Sequence, residues 1–166
     1  MEKLPSAVAD CLSDAPLVAR DVARGVCRLL FHQDMMPVCE VPLGNNRRAD
    51  IMALDKAGQV TLVEIKVSVA DLRGDLKWPE YLDYCDRYFW AMPSGFNIAL
   101  LNDEWFMPER TGLIVADRYD AVVVREAAIH PLNAARRRSE QLRFARRAAR
   151  RLLQVNDPEL AGFMDG

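Results

Sequence analysis

The stretch Arg47-Arg48-Ala49-Asp50-Ile51-Met52-Ala53-Leu54-Asp55-Lys56-Ala57-Gly58-Gln59-Val60-Thr61-Leu62-Val63-Glu64-Ile65-Lys66-Val67 decides how the chain folds. Strand side chains alternate between faces. In 59–67, Val60, Leu62, Glu64 and Lys66 share one face, and Thr61, Val63, Ile65 and Val67 the other. In 47–54, Asp50 shares its face with Met52 and Leu54. Both faces are largely apolar, the mark of strands covered on both sides. Asp55-Lys56-Ala57-Gly58 suits a type I turn closed by glycine, so the two strands form a tight hairpin. One extra residue for a glycine bulge sets Asp50 directly opposite Glu64.

Before the hairpin, Ser13-Asp14-Ala15-Pro16 reads as a helix start, and Val18, Val22, Val26, Leu29 and Leu30 recur at helical spacing. The spacing predicts a helix over about 15–32. A short strand over 38–43 follows, ending in the turn-like Gly44-Asn45-Asn46. After the hairpin, Ser68-Val69-Ala70-Asp71 matches a capping box, so a helix begins at Val69. Pro79 should break it, with a second short helix running on to about Asp86. A buried strand is expected over 88–92, further strands over 112–116 and 121–125, and an arginine-rich helix over 133–154, with a loosely ordered tail after Asn156. The expected fold is α/β: a central mixed sheet flanked by helices, in the order helix, three strands, helix, strand, with an added C-terminal hairpin and helix. The 166 residues suit one domain, with a core over about 15–92 and an elaboration over about 93–155.

Hydrophobic residues make up 51% and charged residues 28% of the chain, which excludes overall disorder. No run approaches the roughly 18–20 apolar residues of a membrane helix, and Met1-Glu2-Lys3-Leu4-Pro5 lacks the layout of a secretory signal. Cys11, Cys27, Cys39 and Cys85 show no CxxC pairing and no zinc-like spacing with His32 or His130. A reduced, cytoplasmic setting is the expectation. The net charge of −2 conceals arginines crowded between Arg136 and Arg151, so a nucleic-acid partner remains open.

The hairpin carries the chemistry. Cross-strand neighbours have Cβ atoms about 4.5–5.5 Å apart, and like charges there repel. Burying unpaired charge costs several kcal/mol. A divalent cation offsets that cost well, because carboxylates are the hard oxygen ligands Mg²⁺ prefers. Asp50 and Glu64 are therefore candidate metal ligands, with the backbone carbonyl of Ile65 as another. Lys66, on the same face, suits orienting a water or neutralising a phosphate, so the set fits phosphodiester hydrolysis. From residue types alone, a structural ion network at the end of the sheet explains the three groups equally well.

Asp50, a hairpin and Glu64-x-Lys66 resemble the signature of the PD-(D/E)xK nuclease superfamily, whose restriction-endonuclease-like core runs helix, three strands, helix, strand. The longer stretches Arg47-Arg48-Ala49-Asp50-Ile51, Val63-Glu64-Ile65-Lys66 and Asp75-Leu76-Lys77-Trp78-Pro79-Glu80-Tyr81 are similar to a narrower group, the MmcB-type DNA repair endonucleases. The resemblance implies a Mg²⁺- or Mn²⁺-dependent DNA endonuclease acting in repair, with Asp50, Glu64 and Lys66 as its catalytic centre. It also implies DNA as partner, a repair-protein partner, and pairing with a second copy. Two departures stand out: Ala49 replaces the proline before the first aspartate, and the first helix has no clear inward glutamate, for which Glu40 on the preceding strand is the expected stand-in.

Aromatic and basic side chains together suit unstacked bases and phosphates, which makes Lys77, Trp78 and Tyr81, with Arg47 and Arg48, candidate nucleic-acid contacts. Core packing explains Trp78 as readily, and capping explains Asp71, which lies four residues before Asp75 on one helix face. In the last helix Leu142, Ala145, Ala149 and Leu152 form an apolar stripe, while Arg136, Arg143, Arg147 and Arg150 gather on another face that suits backbone phosphates, a solvated surface or subunit pairing. No Walker loop, Rossmann glycine run, HExxH or GxSxG element is present. The rival readings are a catalytically inert nuclease-fold module that binds DNA or a repair partner, and a nuclease acting on RNA.

Overall fold

Every residue of Val60–Ile65 is buried, and the sheet is built outward from this strand. The structure, a computed structural model, describes residues 17–163. Helix α1 (Ala19–His32) leads into strands β1 (Met36–Pro42), β2 (Arg48–Leu54) and β3 (Val60–Ile65). Helix α2 (Val69–Gly74), a 3-10 helix at Trp78–Tyr84 and strand β4 (Arg87–Pro93) follow. Short 3-10 helices at Ile98–Asn102 and Glu104–Phe106, which periodicity did not reveal, precede β5 (Gly112–Ala116), β6 (Ala121–Arg125) and helix α3 (Ala134–Asn156). The six strands form one mixed sheet in the order β1-β2-β3-β4-β5-β6. Pairing is antiparallel from β1 to β3, parallel from β3 to β5, and antiparallel again at β6. The α/β architecture and element order are those expected.

Alternation along β2, β3 and β4 feeds two cores. Val22, Val26 and Leu30 of α1 cover Ile51, Val63, Phe89 and Ile114 on one face. On the other, Leu72, Trp78 and Leu82 cover Met52, Leu62, Tyr88 and Trp90. Each large side chain so buried stabilises the fold by about 1.5–3 kcal/mol before entropy is counted. Gly25 lets α1 lie close against the β5–β6 turn, since an added Cβ would sit 2.3 Å from the Asp117 carbonyl oxygen. Among the described residues no helix is long and apolar enough to cross a membrane.

Several boundaries differ from expectation. The proposed helix start at Ser13–Pro16 lies outside the described residues; α1 begins at Ala19, where Asp21 accepts the Val18 N–H at 3.1 Å. Strand β1 starts at Met36, ahead of the expected 38. Helix α2 begins at Val69 as expected, with Ser68 Oγ accepting the Asp71 N–H, but ends at Gly74, well before Pro79. Glycine is a poor helix former, and Asp75 leaves the helical region at ψ 80°. Pro79 instead opens the 3-10 helix, where a missing N–H costs nothing. The tail after Asn156, expected to be loose, forms a further 3-10 helix at Pro158–Phe163.

The larger correction concerns α3. Its apolar stripe faces outward: Leu142 is 56% and Leu152 61% exposed, and Ala145 and Ala149 are exposed as well. The buried residue of this helix is Glu140. The helix docks mainly through polar groups, because the surface it meets presents polar partners. Arg137 pairs with Asp86, Gln141 donates to the Gly58 carbonyl at 2.7 Å, and the Arg136 guanidinium lies 4.3 Å over the Tyr84 ring. Arg147 and Arg151 reach Glu40 at 3.8 and 3.3 Å, while Phe144 adds a partly buried apolar contact.

Asp86 ties three segments together. Its fully buried carboxylate accepts N–H bonds from Val60 at 2.7 Å and Leu132 at 2.8 Å besides pairing with Arg137. Burial alone would raise its pKa, but the Arg137 hydrogen bond and the two amides outweigh that and hold it below the usual carboxylate value. A group so depressed contributes stability above its unfolded pKa and loses it as pH falls through the folded one. Asp86→Ala should cost about 3 kcal/mol at pH 7. The deficit should shrink as acid protonates Asp86 in the wild type, which urea denaturation across pH 2–7 would check.

Candidate active site

The β2–β3 register runs from Leu54↔Val60 to Ile51↔Val63. Gly58 in the connecting turn has φ +76°, and the Gly58 N–H donates to the Asp55 carbonyl at 3.0 Å, the bulged turn expected from the sequence. Carried one residue further, this register sets Asp50 against Glu64. The two carboxylates are held in a crossed arrangement by main-chain amides. The Asp50 N–H donates to Glu64 Oε1 at 3.1 Å, and the Ile65 N–H donates to Asp50 Oδ2 at 2.8 Å. Glu64 is 4% exposed and pairs across β3–β4 with Trp90, which packs at 5.1 Å from the Trp78 ring and 5.2 Å from Tyr88. The pair therefore sits at the end of a buried strand, above an aromatic floor.

Lys66 lies just past β3, where its N–H donates to the Ala91 carbonyl at 3.0 Å. It is 8% exposed, and its Nζ is 2.7 Å from Asp75 Oδ2 and 3.8 Å from Asp71 Oδ1. The capped start of α2 brings these acids back: Ser68 begins the helix soon after Lys66, and the early stop at Gly74 releases Asp75 toward the ammonium. Asp75 was legible only as one of two acids four residues apart. Its reach to Lys66 depends on how short the helix is.

Burial, and then the charge of Asp50, push the Glu64 carboxyl well above its ordinary pKa. Asp50 is raised too, chiefly by burial, against the Ile65 N–H and the positive charges of Lys66 and Arg48. For Lys66, burial favours the neutral amine, but the Asp75 hydrogen bond and the charges of Asp75 and Asp71 outweigh it and raise the pKa. Two desolvated carboxylates, repelling each other and each a hard oxygen donor, are a donor set suited to a divalent cation.

The other expected site residues divide. Glu40 does not join the carboxylates. Its backbone is left-handed (φ 54°), and its side chain pairs with Arg48 at 3.7 Å as well as with Arg147 and Arg151. Among the described residues no group of three or more His, Cys, Asp or Glu side chains is placed to hold a metal. Trp78 is fully buried between Tyr88 and Trp90, so it is a core residue and no base can stack on it. Tyr81 is 8% exposed and donates its hydroxyl to the Arg48 carbonyl at 3.2 Å. Lys77 is exposed, and Arg47 pairs with Glu80 at 2.8 Å. Arg136 stacks on Tyr84, and Arg143 lies 3.7 Å from Glu140. Arg143, Arg146, Arg147 and Arg150 line a groove of about 430 Å³ beside Pro42 and Leu153. His32 and His130 are exposed.

Fold and site together define an α/β protein with an amide-locked carboxylate pair and a lysine at the end of its central strand. The chain belongs to the MmcB-like family, described as DNA repair protein MmcB-like, with the match spanning residues 6–159. It is also similar to a protein of unknown function from Silicibacter pomeroyi, at 42% identity over 83% of this chain and 90% of that one, with a TM-score of 0.77. A repair endonuclease from Pyrococcus abyssi aligns over 72% of this chain and 50% of its own, at 16% identity and a TM-score of 0.36. No curated protein matches the chain.

A carboxyl whose folded pKa lies above its unfolded value destabilises the fold when ionised, increasingly as pH rises through that pKa. Glu64→Gln keeps an acceptor for the Asp50 N–H and removes the charge. In chelator it should raise Tm by a few degrees at pH 8 and by less at pH 5, as differential scanning calorimetry would show.

Proposed function

We propose that this protein is a metal-dependent DNA endonuclease that hydrolyses phosphodiester bonds in DNA repair. The observation that carries the reading is the buried, amide-locked pair Asp50–Glu64 with Lys66 beside it. Asp50 and Glu64, with the Ile65 carbonyl, would hold Mg²⁺ or Mn²⁺, which when bound supplies charge neutralisation at phosphate and an acidified water. The Asp50 and Ile65 amides fix the two carboxylates and so spare the site a reorganisation cost during reaction. Lys66 acts on the nucleophilic water or the phosphate, with Asp75 steadying its ammonium until substrate arrives. Arg47 and Arg48 lie just before Asp50 in the chain and Lys77 is exposed beyond α2, basic side chains that suit phosphates, and the Arg143–Arg150 groove offers a second surface for backbone phosphates. Family membership supports the repair setting.

A second reading has its own support. Glu40 is turned away to arginines and Lys66 is already ion-paired, as befits a module that keeps the fold and binds DNA or a repair partner without cutting.

Labelled DNAs of varied structure, with matched RNAs as competitors, should be cut by the wild type in Mg²⁺ or Mn²⁺ but not in chelator. Asp50→Ala should lose the activity. Equal cutting by both proteins, or none on any substrate together with no carboxylate-dependent Mn²⁺ binding, would favour the binding module. Replacing Arg143 and Arg147 with alanine should weaken DNA binding and lower the slope of log K against log salt by about 1 for each phosphate that is no longer neutralised. An unchanged slope in fluorescence anisotropy titrations would take this helix out of the interface.

A further inference from the structure

Away from the carboxylates, α1 and β1 meet at a pair of thiols. Cys27 Sγ and Cys39 Sγ lie 3.6 Å apart, and both side chains are only partly buried at the margin of the α1 core. Cys39 pairs with Ile51 across β1–β2, and the next residue, Glu40, holds Arg151 of α3. Cys85 differs: it is 2% exposed, its thiol donates to the Tyr81 carbonyl at 3.6 Å, and burial pushes its pKa up.

We propose that Cys27 and Cys39 form a dithiol site that a hydroperoxide closes to an intramolecular disulfide, tying α1 to β1. The thiolate is the reactive form of cysteine. Cys39 is held below the ordinary thiol pKa, first by its hydrogen bond with Cys27 and then, against burial, by the charge of Arg151. The same bond, with burial, pushes Cys27 up. The Arg151 guanidinium, held at the adjacent Glu40, favours a thiolate on Cys39, which makes Cys39 the attacking sulfur and Cys27 the resolving one. The Cys39 thiolate attacks one peroxide oxygen, the O–O bond breaks, and the departing hydroxide takes up a proton as water. Sulfur loses two electrons to the peroxide and becomes a sulfenic acid. Cys27, giving up its proton, then displaces the hydroxyl from Cys39; the S–S bond forms and a second water leaves. Two thiols and one hydrogen peroxide molecule thus give one disulfide and two waters. A disulfide needs its sulfurs about 2.05 Å apart, so closure relies on side-chain rotation at a margin where neither residue is fully enclosed.

The test treats the full-length protein, in chelator, with stoichiometric hydrogen peroxide, followed by alkylation, intact mass measurement and peptide mapping. The expected result is a loss of two hydrogens, a cross-linked peptide pair containing Cys27 and Cys39, reversal by dithiothreitol, and Cys85 alkylated only after unfolding. Cys27→Ser should instead stop at a Cys39 sulfenic acid that dimedone captures. Cys27 and Cys39 both still open to alkylation, Cys39 driven on to sulfinic acid with Cys27 free, or a bond to Cys11 or to a second chain would each overturn the assignment.

Discussion

Strand β3 has no solvent-facing side. Helix α1 covers Val63 and Ile65, while α2 and the Trp78–Tyr84 helix cover Val60 and Leu62, so the strand can only lie inside the sheet with a neighbour on each edge. That constraint makes it the hinge between the antiparallel half, entered through a tight hairpin, and the parallel half, which needs a crossover to return the chain. It also dictates where polar chemistry can sit. Only at the end of the strand does the covering thin out, and there Asp50, Glu64 and Lys66 gather, each gripped by backbone amides or by neighbouring acids.

The electrostatics of that end are unbalanced by the path of the backbone. Asp50, Glu64, Asp71 and Asp75 outnumber the Lys66 ammonium, while burial first, and for Glu64 then the charge of Asp50, raises the carboxyl pKa values of Asp50 and Glu64. Such a place repels a phosphate and attracts a cation, so any nucleic acid approaching it must be drawn by other groups. The cations elsewhere are mostly arginines, and many are already employed: Glu40 gathers Arg48, Arg147 and Arg151, and Asp86 takes Arg137. The C-terminal helix is therefore as much a polar buttress for β1 and β3 as a basic surface. Its apolar stripe is left facing outward because the surface beneath offers carboxylates, a carbonyl and a tyrosine ring.

The sequence by itself determined the strands, the hairpin register and the opposition of Asp50 to Glu64, because each rests on local rules. Alternation of apolar residues, a glycine able to take φ +76° and a serine cap all act within a few residues, and period-two patterning tolerates no slip. Tertiary structure alone decided which face of α3 turns inward, that Trp78 is core, that Glu40 serves arginines and that Asp75 closes on Lys66. Each of those outcomes depends on a partner distant in the chain or on where one short helix stops. A side chain's own type cannot distinguish burial from binding until its neighbours are in place.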